Sequence, residues 1–493
     1  MFLPSLRRAR PVPCGSAAEP RATLLPGALS LLGMLAGCAG NAVQPAVAPA
    51  PAPSFSAFVV LGEQGAAVAR VLTEASACPA IRIDGREHAM QLRAGAATLP
   101  LRPTSSPPAQ SKAAAFPVLS CDAALPPATV SASVLGQPLA LPKAAPQRIV
   151  VIGDTGCRLK LSHSGDSFQA CNDARAYPFA SIAAAAAAWR PDLVIHVGDY
   201  HYREHACPDS EPGCAGSPWG YGWDTWQADF FTPGAALLRA APWVMARGNH
   251  ESCGRAGQGF WRLLDPRPLL PGRDCNAAAD DGVGDYSDPY AVPLDAATQL
   301  LVVDTASTSW RGFQPGTPGY AHYRDSYRQL AALAGRAPNN IGITHHPLLG
   351  FGTDRKPDGG TMLQLGDAGL QQAFGSLNPL LLPAPVQTML SGHVHQWQQT
   401  SFASDHPSQF IAGFSGTAED VLPLPDPLPP GTTPAPGAVL EALSSWVDGF
   451  GFMTLERRGP QQWDVTVRDR DGQLRNTCTI DGRQSRCAQA RVR

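Results

Sequence analysis

The sequence RIVVIGDTG at residues 148–156 indicates the fold class of this chain. Its first five residues are mostly β-branched, as expected of a short buried strand, and a polar Gly-Asp turn follows at once. The same order recurs in LVIHVGDYHY at 193–202 and in WVMARGNHE at 243–251. Helical patterns separate these runs along the chain. Strands that alternate with helices predict an α/β fold.

The predicted elements extend this alternation over the second half of the chain. We expect strands at Arg148–Ile152, Leu193–Val197, Trp243–Ala246, Gln299–Val303, Asn340–Thr344 and Val386–Leu390. We expect helices at Phe179–Trp189, Thr225–Arg239 and Ser326–Ala334.

Four segments account for the domain organisation. Residues 1–38 are predicted to be a signal or lipoprotein peptide, and 39–54 an Ala/Pro-rich linker. Short apolar runs between turn residues predict a small β-rich domain at 55–142. Residues 147–493 form the predicted catalytic domain, with a Pro-rich loop at 421–440 and closing strands within 448–493.

The N-terminus has the features of an export signal. Several arginines precede an apolar stretch at 24–37, which is shorter than the roughly 20 residues needed to span a bilayer. The stretch ends in Leu35-Ala36-Gly37-Cys38, which resembles a bacterial lipobox with Cys38 as the lipidated residue. Cleavage of an ordinary signal peptide near Ala39 is the alternative. We therefore expect an exported bacterial protein, periplasmic or an outer-membrane lipoprotein, whose membrane contact is through this anchor.

Cysteine usage and charge agree with export and disfavour nucleic acid as a partner. Apart from Cys14 and Cys38, ten cysteines remain and no C-x-x-C occurs, so disulfides are favoured over a thiolate metal site. The simplest pairing joins neighbours as 78–121, 157–171, 207–214, 253–275 and 478–487, although the sequence alone does not fix the connectivity. The formal net charge is −2, and no basic stripe is present.

Polar clusters follow five of the predicted strands and supply metal-ligand chemistry. Ligands of α/β sheets gather beyond the carboxyl ends of strands, so these clusters can converge on one site. Aspartate, asparagine and histidine side chains together suit Zn, Fe or Mn, and two such ions can clamp a phosphoryl group. The clusters are Gly153-Asp154-Thr155-Gly156, Gly198-Asp199-Tyr200-His201-Tyr202, Gly248-Asn249-His250-Glu251, His345-His346-Pro347 and Gly392-His393-Val394-His395.

In this order the clusters resemble the signature GD, GD, GNHE, H, GHxH of the calcineurin-like metallophosphoesterases. Within that family the chain resembles most closely the purple acid phosphatases, because Asp154 is followed by Thr155-Gly156 instead of x-His. Those enzymes take the missing ligand from a Tyr in GDxxY, a position that Tyr202 occupies here. The alternative is that Tyr202 only packs.

The resemblance implies a ligand set for two metal ions. The first ion would be held by Asp154, Asp199, Tyr202 and His395. The second would be held by Asp199, Asn249, His345 and His393, with Asp199 bridging. His346 competes with His345 for this role, because the hydrophobic lead-in favours His346 and the distance to the proline favours His345. The expected ions are Fe(III) together with Zn, Mn or Fe(II).

The resemblance also implies the catalytic residues, the architecture and the reaction. His250 would assist the leaving group, Glu251 would orient His250, and His346 would face the substrate; His201 could point into the pocket or to solvent. The implied architecture is a four-layer αββα sandwich of two mixed sheets. The implied reaction is hydrolysis of a small phosphomonoester by a metal-bound hydroxide, with a phosphodiesterase or nucleotidase as the alternative and a catalytically silent surface lipoprotein as the more remote one.

Overall fold

The computed structural model describes residues 55–161, 167–355, 360–418 and 421–492. The predicted leader at 1–38 and linker at 39–54, including Cys38, lie outside these residues. In the described part of the chain no helix has the length and apolar character needed to span a membrane.

Strands dominate the described residues from the first of them onward. Residues 55–142 contain β1 (Phe55–Leu61), β2 (Ala67–Thr73), β3 (Ala80–Ile83), β4 (Arg86–Ala89), β5 (Gln91–Ala94), β6 (Ala97–Thr98), β7 (Ala115–Phe116), β8 (Leu119–Leu125), β9 (Ala132–Val134) and β10 (Gln137–Pro138). The later strands are β11 (Arg148–Ile152), β12 (Leu159–Lys160), β13 (Ser167–Phe168), β14 (Leu193–His196), β15 (Trp243–Met245), β16 (Tyr290–Pro293), β17 (Thr298–Val302), β18 (Asn339–Ile343), β19 (Gly352–Arg355), β20 (Thr361–Gln364), β21 (Val386–Ser391), β22 (Trp397–Phe402), β23 (Ser408–Ala412), β24 (Leu440–Trp446), β25 (Gly451–Arg457), β26 (Gln462–Asp469), β27 (Leu474–Asp481) and β28 (Gln484–Cys487).

Two mixed sheets organise the chain, which confirms the predicted α/β class. The larger has the strand order β28-β27-β26-β25-β11-β14-β15-β1-β2-β8-β5, and the smaller has the order β16-β17-β18-β21-β23-β22-β24. In the larger sheet β11, β14 and β15 run parallel, and in the smaller sheet β17, β18, β21 and β23 do so. The carboxyl ends of the parallel strands in each sheet therefore lie at one edge.

The β-rich region at 55–142 is present, and its strands continue the larger sheet. β1 pairs in parallel with β15, and β2, β8 and β5 extend the sheet from there. A second set, β10-β9-β3-β4, forms a small sheet of its own. The boundary predicted near residue 142 therefore does not coincide with a break between sheets.

Helices pack against the sheets and differ from the sequence prediction at two places. The predicted helix at 225–239 is interrupted, because Pro233 lacks an N–H and Gly234 favours a break. A π-helix at Gln227–Phe231 lies between the two helical pieces. The helix predicted at 326–334 begins earlier, at Pro318. The α-helices are α1 (Phe179–Ala188), α2 (Trp223–Trp226), α3 (Ala235–Leu238), α4 (Gly257–Leu263), α5 (Asp281–Gly284), α6 (Pro318–Ala334) and α7 (Ala368–Gly375).

Three apolar clusters hold these elements together. One combines residues of both sheets, such as Val151 of β11 with Ile343 of β18. A second packs α1 on the larger sheet through residues such as Ile182, and a third packs α6 and α7 with the smaller sheet through residues such as Leu330. The four-layer order of the predicted sandwich remains a prediction.

All five predicted disulfides are present: Cys78–Cys121, Cys157–Cys171, Cys207–Cys214, Cys253–Cys275 and Cys478–Cys487. Disulfides persist in oxidising compartments, so these pairs indicate an extracellular or exported protein. Two of them follow candidate ligand loops directly, at Asp154 and at Asn249.

Candidate metal centre

The loops that carry the predicted ligands come from the carboxyl ends of parallel strands in both sheets. Asp154 follows β11, Asp199 follows β14 and Asn249 follows β15 in the larger sheet. His345 follows β18, and His393 and His395 follow β21 in the smaller sheet. The site thus forms where the edges of the two sheets meet. Asp154, Asp199, His345 and His395 are buried, and Asn249 and His393 are half-buried.

Tyr202 meets the other predicted ligands of the first metal. Its Oη lies 2.9 Å from Asp154 Oδ1, 2.9 Å from Asp199 Oδ2 and 2.9 Å from His395 Nε2. A phenol carries one proton, yet it faces three atoms that can accept one. Burial, and then the negative charges of Asp154 and Asp199, raise the pKa of Tyr202 well above its usual value of 10 when only protein charges are present. A cation at this point would relieve the crowding of acceptors.

A second group gathers around Asn249. Its Oδ1 lies 3.1 Å from His345 Nε2 and 3.0 Å from His393 Nδ1. His345 Nε2 is also 3.1 Å from Asp199 Oδ2, and its Nδ1 donates to the carbonyl of Val197 at 2.9 Å. That bond fixes the ring so that Nε2 faces the site.

The charges around His345 are those expected beside a cation site. Burial lowers its pKa, but Asp199 and Asp154 outweigh burial and raise it to about 9 with only protein charges present. If His345 is neutral with its proton on Nδ1, the lone pair of its Nε2 faces two oxygens that are also acceptors, those of Asn249 and Asp199. The donor set of carboxylate, amide and imidazole, closing on one point, fits a first-row metal ion. Asp154, Asp199 and His345 have ligand atoms within 4.8 Å of one another.

The backbone is bent to aim these side chains. Asp154 (φ 55°), Asp199 (φ 59°) and His393 (φ 70°) occupy the left-handed region, which is uncommon for residues other than glycine. Gly248 is required by close approach, because a Cβ there would lie 2.1 Å from Asp199 Oδ1. Strained conformations of this kind cluster at functional sites.

The Glu251 carboxylate holds the ligand loops and does not hold the His250 ring. Its carboxylate accepts backbone N–H groups from Gly248 (3.1 Å), Asp199 (3.0 Å), Tyr200 (2.8 Å) and His201 (3.2 Å). The sequence predicted that Glu251 orients His250; the described contacts of its oxygens are instead with backbone N–H groups. It ties the Asp199 loop to the Asn249 loop.

His250 lies against the first metal group and is positioned by two residues that no motif identified. Its ring centroid is 3.8 Å from that of Tyr202, and its Nε2 is 3.9 Å from Asp199 Oδ2. Arg255 Nη2 reaches the ring nitrogens at 2.8–2.9 Å, and Glu204 Oε1 is 3.4 Å from Nδ1. Burial, and then the Arg255 charge, lower the pKa of His250 to about 3, so its neutral form is favoured.

His346 is close enough to the second group to be a further ligand candidate. Its ring centroid is 4.2 Å from that of His393, and ligand atoms of His345, His346 and His393 lie within 4.8 Å of one another. Its Nδ1 lies 3.2 Å from Thr305 Oγ1. His345 alone contacts both Asp199 and Asn249, which supports the choice of His345 as the ligand.

His201 points neither into the pocket nor to solvent. It is buried, with Nε2 2.9 Å from Thr225 Oγ1 and its ring near Tyr221 and Trp226. Its ring packs among these side chains.

Sequence reasoning missed several supporting residues besides Arg255 and Glu204. Asp229, in the π-helix, accepts the N–H groups of Cys157 (3.0 Å) and Tyr202 (2.8 Å) and so joins two ligand loops. Arg158 Nη2 lies 3.2 Å from His395 Nδ1. No local motif marks these residues. The signal that could have found them is a charged residue within a stretch whose other residues are predicted to be buried.

Comparison with known proteins bears on the family and the fold of the chain. Residues 147–397 match the family model described as calcineurin-like phosphoesterase. Among solved structures, a purple acid phosphatase from yellow lupin (Lupinus luteus) seeds is similar in fold, with a TM-score of 0.52 and 15% identity over 87% of this chain and 74% of that one. PhoD matches with a TM-score of 0.49 and 11% identity over 88% of this chain and 91% of that one.

A search of curated proteins gave no match. The family match nevertheless spans just over half of the chain and contains the loops from Asp154 to His395. The chain therefore belongs to the calcineurin-like phosphoesterase family.

Proposed function

We propose that this protein is a metal-dependent phosphoester hydrolase that acts on small phosphomonoesters through a dinuclear centre, in the manner of an acid phosphatase. The observation that carries the proposal is the contact of Tyr202 Oη with Asp154, Asp199 and His395, each at 2.9 Å. A buried phenol that lies against two carboxylates and an imidazole nitrogen fits a tyrosinate ligand better than it fits packing. Tyrosinate is a hard anionic donor and favours Fe(III), and the second ion would be Zn, Mn or Fe(II).

Two sets of residues would hold the ions. Tyr202, Asp154 and His395 would face the first, and Asn249, His345 and His393 the second. Asp199 would serve both, because its Oδ2 is 2.9 Å from Tyr202 Oη and 3.1 Å from His345 Nε2. When bound, the ions would supply Lewis acidity toward the phosphoryl oxygens and lower the pKa of a water molecule that acts as nucleophile.

The remaining polar residues would position the substrate. His250 lies beside Tyr202 and Asp199, where its ring can hydrogen-bond to a phosphoryl oxygen or to the leaving oxygen. Arg255 and Glu204 hold that ring in place. His346 lies against His393 and could face the substrate from the side of the second ion.

The test compares the protein with its Tyr202→Phe variant, both purified without added metal. We expect two metal ions per chain, one of them iron, and a visible tyrosinate-to-iron band that the variant loses. Turnover of a chromogenic phosphomonoester should exceed turnover of the matching phosphodiester.

Other results would redirect the proposal. A colourless protein with two zinc or manganese ions would leave Tyr202 a packing role, and faster turnover of diesters or nucleotides would favour a phosphodiesterase or nucleotidase. Absence of hydrolysis with both ions bound would favour a silent surface protein.

We also propose that the protein is anchored by a lipid on Cys38 after export. The support is the Leu35-Ala36-Gly37-Cys38 sequence together with five disulfides. Cys38→Ser should move the protein from the membrane fraction to the soluble periplasmic fraction. Unchanged membrane association would contradict the anchor.

A further inference from the structure

A cavity of about 500 Å³ opens beside the proposed metal centre on the side of His393. Its wall is largely apolar and comes from β19 and β20 and from the segments that follow β17, β18, β20 and β21. The apolar side chains that line it include Trp310, Pro347, Phe351, Met362, Leu365 and Val394.

His393 connects this cavity to the metal centre. Its Nδ1 lies 3.0 Å from Asn249 Oδ1, and its ring also lines the cavity. A phosphate held by the second group of ligands would therefore place an attached organic group at the mouth of the cavity.

Three large apolar side chains around this cavity are exposed. Trp310 is 71% exposed, Leu365 53% and Met362 42%. Exposed apolar residues scattered singly are ordinary, but their concentration beside a candidate active site indicates a surface that a ligand covers.

The charge of the described lining residues favours an uncharged ligand. Among its described lining residues none is Lys or Arg, whereas two are aspartates, Asp354 and Asp367. Asp367 is already engaged by Thr308 Oγ1 at 2.7 Å and by the N–H of Leu370 at 2.8 Å. A second phosphate or a carboxylate on the substrate would meet negative charge and, among the described lining residues, no cationic partner.

We propose that this cavity binds the organic group of the phosphate ester, and that this group is uncharged and apolar, either aryl or a medium-length alkyl chain. The inference rests on the proposed function and specifies its substrate class. Size allows it, because a cavity of about 150 Å³ can hold benzene.

The test uses ethyl phosphate, hexyl phosphate and 6-(phosphonooxy)hexanoate as substrates of the metal-loaded full chain. Their leaving alcohols have nearly the same acidity, so differences in kcat/KM report on binding of the chain and not on leaving-group chemistry. We expect hexyl phosphate to exceed ethyl phosphate at least tenfold, and the terminal carboxylate to abolish most of that gain.

A pair of variants locates the effect. Trp310→Ala should reduce the hexyl-to-ethyl ratio severalfold, whereas Leu474→Ala, an exposed apolar residue that does not line the cavity, should leave the ratio unchanged. The measured quantity is the hexyl-to-ethyl ratio of kcat/KM, so a change in absolute activity does not affect the comparison.

Failure of this inference can be told from failure of the proposed function. Equal turnover of ethyl and hexyl phosphate, or preference for the carboxylate or for AMP, would overturn the apolar cavity and leave the hydrolase intact. If neither ester is hydrolysed, calorimetry can compare the binding of hexylphosphonate with that of ethylphosphonate. Tighter binding of the hexyl compound, lost in Trp310→Ala, would support the apolar cavity. Equal binding of the two compounds would refute it.

Discussion

Replacement of Glu251 by Gln should weaken the whole site without removing a ligand. The Glu251 carboxylate accepts two N–H groups on each oxygen, from Tyr200 and His201 on one and from Asp199 and Gly248 on the other. A glutamine keeps one acceptor oxygen and places an NH2 group opposite two N–H donors. Two buried donors therefore lose their partner.

The size of the effect follows from that count. A buried donor left without an acceptor costs about 1–3 kcal/mol, so Glu251→Gln should lower the free energy of unfolding by roughly 2–6 kcal/mol. Because the same bonds hold the Asp199 and Asn249 loops together, metal affinity should fall about 10–100-fold.

The assay is denaturant unfolding in the presence of a chelator, followed by titration with metal. Glu456→Gln is the matched control. Glu456 is partly exposed and its ion pair with Arg148 is long, at 3.7 Å, so losing the pair should cost under about 1 kcal/mol. If Glu251→Gln changes turnover but neither stability nor metal affinity, Glu251 acts on the reaction instead of the loops and our interpretation is refuted.

Three further predictions follow from the described contacts. Removal of metal by a chelator should lower the Tm, and adding metal back at 100 times its Kd should restore about 2.7 kcal/mol; an unchanged Tm would contradict a metal site coupled to folding. Gly248→Ala should impair metal binding, measured by metal content, because its Cβ would lie 2.1 Å from Asp199 Oδ1, whereas Gly95→Ala meets nothing within 4 Å and should bind metal normally. Asp122→Asn should cost roughly 3 kcal/mol at neutral pH, since it removes the carboxylate charge that pairs with the buried Arg70. Burial raises the pKa of Asp122, but Arg70 and Arg93 lower it below its usual 3.8 overall, so this stability is present above that value and is lost as the pH falls through the lower folded-state pKa. Unfolding curves of Asp122→Asn and the parent protein should therefore converge in acid, and a gap that persists there would contradict the ion-pair explanation.

The ligand loops could be predicted because strand pattern and residue type coincide there. Asp154 and Asp199 each follow a run of β-branched residues, and the parallel strands bring those ends together. The helix at 318–334 was found only in its second half, because its first turns carry few apolar residues in register.

What the sequence could not show depends on long-range contacts. Arg255 lies near His250 along the chain, but Arg255 and Glu204 are 51 residues apart and meet only in the folded chain, so no local pattern marks this pair. The role of Glu251 was missed because its partners are backbone N–H groups, which leave no mark in the sequence. The position of β1 in the larger sheet could not be predicted either, because the pattern of a strand does not indicate which strand it pairs with.

The pairing of β1 with β15 has a consequence for where this protein can be cut. The family match begins at residue 147, yet a chain shortened to that point would lose β1, β2, β5 and β8 and bare the edge of β15, the strand that leads to Asn249. An uncovered edge invites pairing with another molecule. The segment shared with the family is therefore narrower than the sheet that carries three of the ligand loops, and β1, β2, β5 and β8 before it are part of that sheet instead of an appended module.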